Sequence, residues 1–219
     1  MPSQCFGANV VVVARQFNPS VFSQLWLVRN RIVGEDEFIG QCLFSDDVAK
    51  IETRDFGLLV IPPQLQFHPR VPTEREADIV TEKLGTIVRT LPHVPYLAVG
   101  LNFVWHVWQE HEDMHAFSQS LFLRPSGPFF DVFGDAEDAL FGAYVNKAVL
   151  GCRLRLDVKP IDFPPDDRNV RRLLFAFNFQ LEVPQDNPIP AIEGHLGLWA
   201  QARDEALRIV NLVERYRGE

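Results

Sequence analysis

The sequence predicts an α+β fold made of two halves of like order, strand, short helix, meander and long helix, whose strands join into an antiparallel sheet with the long helices on one face. Three observations carry this expectation. Apolar runs with β-branched or alternating character recur at 9–15, 97–107, 152–158 and 171–183. Two apolar stripes at helical spacing, within 77–91 and 192–213, are long enough to cover a sheet. The order of the pieces repeats, with a first half at 1–92 and a second at 93–219, either as two halves or as one continuous domain.

Size and composition fit that class. The chain has 219 residues, 47% hydrophobic and 23% charged, which is the balance of a globular protein. A formal net charge of −8, with no dense Lys/Arg run, repels phosphate backbones, so nucleic acid is not an expected partner. No stretch approaches the roughly 20 apolar residues of a membrane helix, and no basic region precedes the apolar run near the N-terminus, so neither membrane nor signal peptide is expected. Cys5, Cys42 and Cys152 are far apart and odd in number, which fits a reducing compartment and a cytoplasmic location.

Taken in order, 9–15 (NVVVVAR) does not alternate and reads as a central strand covered on both faces. Asn18 and Pro19 then read as the cap and first turn of a short helix reaching Asn30, with Phe22, Leu25 and Trp26 on one face. Three short strands are expected between Gly40 and Pro69, beginning near Cys42, at 56–61 and at 65–67, with Pro62 and Pro63 interrupting the ladder. Thr73 and Glu76 have the spacing of a capping box, and the helix they open stops before Pro92.

The second half opens with the strand 97–107, whose odd-numbered residues from Leu97 to Val107 are apolar. A short helix is expected at 109–119, followed by the irregular stretch 124–140, in which Phe129, Phe130 and Phe133 must pack back on the domain or meet a partner. Strands follow at 142–147, 149–158 and 171–183, separated by a polar connection at 160–169. One helix, opening at 187–190 and reaching about Tyr216, closes the chain.

The duplicated order resembles the saddle of the TATA-box binding protein, although the acidic charge lacks the basic surface a DNA binder needs. A narrower resemblance rests on 17–22 (FNPSVF) with Trp26 and Leu27, on 91–95 (LPHVP) and on 100–103 (GLNF). In these words the chain resembles an uncharacterised bacterial and phage-associated protein family, which implies a bacterial domain and no particular activity.

Two functional readings follow. His111, Glu112 and His115 form an HExxH pattern; in a helix it sets two imidazoles one turn apart with a carboxylate beside them, the arrangement of a zinc-dependent hydrolase. His111 and His115 would be the metal ligands and Glu112 the general base, but a third ligand with diagnostic spacing is lacking, and Gln109, Glu110 and Asp113 suit a solvated helix. The leading reading is therefore a noncatalytic protein-binding or assembly protein needing no cofactor, zinc entering only under the hydrolase alternative. Its contact residues are Phe129, Phe130 and Phe133, or the outward Arg153, Arg155 and Arg172, which either form a basic patch for acidic segments or pair with Asp157 and Glu182. The partner is another protein or another copy of the chain. No phosphate-binding loop and no nucleophile elbow occurs.

Overall fold

The computed structural model describes residues 2–108, 114–136, 139–162 and 171–216. Among them are nine strands: β1 (Ser3–Ala14), β2 (Leu43–Phe44), β3 (Ala49–Glu52), β4 (Phe56–Ile61), β5 (Gln64–Pro69), β6 (Tyr96–Val107), β7 (Ala143–Val149), β8 (Cys152–Asp162) and β9 (Arg171–Glu182). They form one antiparallel sheet in the order β2-β3-β4-β5-β1-β6-β9-β8-β7, so the fold is mixed α and β. By packing, the chain divides into a first unit of Ala8–Asn102 and Phe179–Arg203 and a second of Met1–Gly7, Phe103–Asn178 and Asp204–Glu219. The halves 1–92 and 93–219 are divisions of sequence order; the two units are divisions of packing.

In the first unit, register explains the core. Val10 stands opposite Phe67 and Val12 opposite Leu65, while Phe67 and Leu65 face Leu58 and Val60 on the next strand, all buried. Phe56 and Phe67 stack with ring centroids 4.8 Å apart. The expectation that 9–15 is covered on both faces is corrected: Val11 and Val13 are only half-buried, because the residues opposite them are Gln66 and Gln64. The central position in the sheet holds. The meander has four strands where the sequence suggested three. The additional one, β3, is short and carries Lys50 and Glu52, charges that hide it in a hydrophobicity pattern and that form an ion pair at 3.3 Å. Pro62 and Pro63 make the β4–β5 turn, and their carbonyls accept from Phe17 N at 2.7 Å and Ala14 N at 3.2 Å.

The helices of this unit start and stop where side chains cap them. Asn18 caps only a 3₁₀ turn, Pro19–Val21; Ser23 Oγ then accepts from Trp26 N at 3.2 Å and opens α1 (Gln24–Arg29), so the single helix expected from Asn18 is two pieces. Leu25, expected on the apolar face, is exposed. The stretch from Thr73 to Thr90 runs as α2 (Thr73–Ile79), a π-helical turn (Val80–Leu84) and α3 (Gly85–Thr90), with Val80, Leu84, Ile87 and Val88 buried. The capping box is corrected. Pro72 is the cap residue, and Glu76 instead turns inward, where its Oε2 accepts from Trp199 Nε1 at 3.1 Å and from Arg203. A buried carboxylate needs such donors more than the helix end needs Glu76.

In the second unit, Leu154, Leu156, Val158, Leu173, Phe175 and Phe177 are buried while Arg153 and Arg155 are exposed, as the alternation predicts. The described part of the helix expected at 109–119 is α4 (Met114–Phe122), and 109–113 lie outside the described residues. A one-turn helix, α5 (Phe130–Phe133), interrupts the irregular stretch. The expected final helix is two: α6 (Pro188–Leu196) and α7 (Trp199–Arg215), separated at Gly197 and Leu198. No helix among the described residues is long and apolar enough to cross a membrane.

Candidate functional site

Of the HExxH residues, His111 and Glu112 lie outside the described residues. His115 sits in the first turn of α4 with its ring edge-on to Phe141, centroids 5.5 Å apart. Its backbone carbonyl accepts from Ser118 Oγ at 2.8 Å. Among the described residues no group of three or more His, Cys, Asp or Glu is placed to hold a metal ion.

The three arginines belong to neighbouring strands, Arg153 and Arg155 to β8 and Arg172 to β9. Arg153 stands opposite Ala148 and Arg155 opposite Asn146, while Asp157 forms an ion pair with Lys159 at 3.2 Å. Arg172 is engaged differently. Its guanidinium lies over the Trp108 ring, 4.4 Å from the centroid, and 5.4 Å from that of Phe6. Phe6 in turn stacks on His106 at 4.1 Å. Burial and the charge of Arg172 hold the His106 pKa below its ordinary value of 6.5, so this imidazole stays neutral at neutral pH. Trp108 and Phe6 thus form an aromatic shelf for Arg172, with His106 stacked on Phe6, that spacing along the chain did not announce.

The Phe segment is built rather than frayed. Gln119 Nε2 on α4 donates to the Gly134 carbonyl at 2.7 Å, and Gly134 closes α5 by donating to the Phe130 carbonyl at 2.8 Å. A Cβ on Gly134 would come within 2.6 Å of that carbonyl oxygen, so the turn requires glycine. Phe130 is half-buried, whereas Phe129 is 66% exposed and Phe133 45%, their ring centroids 6.4 Å apart. Phe129 and Phe133, together with Phe122, Leu140 and Phe141, line a cavity of about 410 Å³. Leu140, itself part of this lining, is 60% exposed, and Val132 on α5 is 68% exposed.

A second cavity, of about 470 Å³ in the first unit, was not anticipated. Phe17, Asn18 and Pro19 form one wall and His93, Val94 and Pro95 another, with Asp46 at the rim, held by Ser20 Oγ at 2.6 Å. The two sequence words FNPSVF and LPHVP therefore meet in space, which their separation along the chain concealed.

No protein-family model matches the chain, and no curated protein matches it significantly.

Proposed function

We propose that this is a noncatalytic binding or assembly protein, and that the surface formed by Phe129, Phe130, Phe133 and Leu140 is what it presents to a protein partner. The observation that carries the reading is the exposure of Phe129, Phe133 and Leu140, which line a cavity of largely apolar walls. Isolated exposed apolar residues are ordinary, but a cluster held on a glycine-dependent turn is a surface kept out of the core. Docking that covers the two phenyl rings contributes roughly 1.5–3 kcal/mol for each before association costs are subtracted. The exposed Arg153 and Arg155 on β8 favour a partner bearing acidic groups.

The same reading takes the fold as a duplication. Its support is the element order, β1, α1, β2 to β5 and α2–α3 followed by β6, α4, β7 to β9 and α6–α7. A cytoplasmic location belongs to the proposal too, supported by three cysteines of which none is in a disulfide. The zinc-hydrolase alternative has the spacing of its own residues as its support and no further observation.

The test is a photo-activated cross-linking residue placed at Phe129 in the full chain, expressed in its host cells, with Leu212, a second exposed apolar position, as control. Protein adducts from position 129 and not from 212 support the reading. An equal yield from both, or none from either, overturns it.

A further inference from the structure

We propose that β7 is a pairing edge and that its occupant is the β7 of a second copy of this chain, laid antiparallel about a two-fold axis at Asn146. The inference rests on the protein-binding reading and names its partner.

β7 ends the strand order among the described residues, and it runs for seven residues, whereas β2 at the other end has two. Residues 144–148 are all exposed, including Tyr144 at 65% and Val145 at 45%. The hairpin with β8 fixes which way its backbone groups point. Val149 stands opposite Cys152 across a two-residue turn, Leu150 and Gly151, whose φ angles of 52° and 72° are those of a type I′ turn. Residues flanking such a turn exchange both backbone hydrogen bonds, and the pattern alternates along the ladder. Ala143, Val145, Lys147 and Val149 therefore bond to β8. Tyr144, Asn146 and Ala148 direct their N–H and C=O groups away from it, a row that only another strand can match completely.

The edge is poorly guarded against such pairing. It contains no proline, and its sole charge, Lys147, is drawn to Glu205 on α7 at 3.6 Å. It is also self-complementary. With Asn146 facing its own counterpart, Tyr144 lies opposite the partner copy's position 148, a large ring against alanine, and Val145 opposes the aliphatic stem at position 147. No like charges face one another, and each of Tyr144, Asn146 and Ala148 donates one backbone bond and accepts one. Residues 139–142, which line the apolar cavity, lead directly into β7, so the pairing edge continues the surface proposed above.

The experiment is sedimentation equilibrium of the full chain over a wide concentration range, for the wild type, Asn146→Pro and Asn146→Lys, with backbone amide exchange at the two extremes. Asn146→Pro removes an outward N–H without touching the β8 ladder, and Asn146→Lys sets like charges together across the axis at an exposed position. We expect a wild-type dimer weakened about 10-fold or more by either substitution, with the unfolding midpoint of Asn146→Lys unchanged at dilutions where both chains are monomeric. The amides of Tyr144, Asn146 and Ala148 should be protected in the concentrated sample and exchange rapidly when diluted, while those of Val145 and Lys147 are protected in both. A chain that stays monomeric overturns the proposal, as does a dimer in which those three amides exchange as rapidly as in the diluted chain. Cross-linking at Phe129 in the Asn146→Lys background separates the two readings: adducts to other proteins from a monomeric chain leave the binding surface standing and remove only this edge.

Discussion

Glu76 shows how one residue can serve the tertiary structure instead of its own helix. Only 8% exposed, it takes hydrogen bonds from the Trp199 indole and the Arg203 guanidinium, and Arg203 also donates to Thr73 Oγ1 at 3.2 Å. Glu76→Ala would leave an indole N–H and a largely buried guanidinium without their acceptor. The expected loss is about 3 kcal/mol in urea unfolding; a loss below about 1 kcal/mol would mean that the carboxylate acts only as a surface cap. His195 makes a second residue-scale prediction. It is 3% exposed, and its Nε2 donates to the Phe179 carbonyl at 2.9 Å as the neutral tautomer. Burial lowers its pKa from 6.5 more than this bond raises it. His106 and His68 are lowered as well, chiefly by burial. As pH falls through 6.5 the unfolded chain takes up these protons and the folded chain does not. Stability should therefore be fully present above that pH and decline below it, until the folded-state values are reached. Urea midpoints measured across this range should fall on acidification, and His195→Gln should show a shallower fall.

At the scale of elements, the β7–β8 hairpin makes the sharpest prediction. Leu150 holds φ at 52°, a left-handed conformation that costs a branched side chain roughly 1 kcal/mol and that asparagine adopts readily. Leu150→Asn should raise the unfolding free energy by up to about 1 kcal/mol with the ladder unchanged; a decrease would show that the leucine side chain supplies packing worth more than the strain. Strand faces were the most legible feature of the sequence, because period-two alternation is a local property: Cys152, Leu154, Leu156 and Val158 are buried on one face of β8 as read. Helix ends were less legible. Ser23 and Gly197 each look compatible with a continuing helix, and it is the hydrogen bond of Ser23 Oγ and the turn at Gly197 that divide what the apolar period had joined. Leu97 likewise fits the inward period of β6 and is exposed at the strand's beginning.

For the molecule as a whole, the noncatalytic reading predicts that chain purified without chelator carries no stoichiometric zinc, and that His115→Ala lowers the unfolding free energy by no more than about 1.5 kcal/mol, the loss of its edge-on contact with Phe141. About one zinc per chain, lost in that variant, would replace the binding reading with the hydrolase alternative. The sequence by itself determined that the fold mixes α and β and which faces of β8 and β9 are buried. Both depend on side-chain period, which neighbours in space do not alter. Only the tertiary structure decided that Phe129 and Phe133 stay outside the core, that Glu76 turns inward, that FNPSVF meets LPHVP, and that β7 is left at an edge. These depend on which distant segments come to lie beside one another, and pairing across roughly a hundred residues leaves no period in the chain from which it could be read.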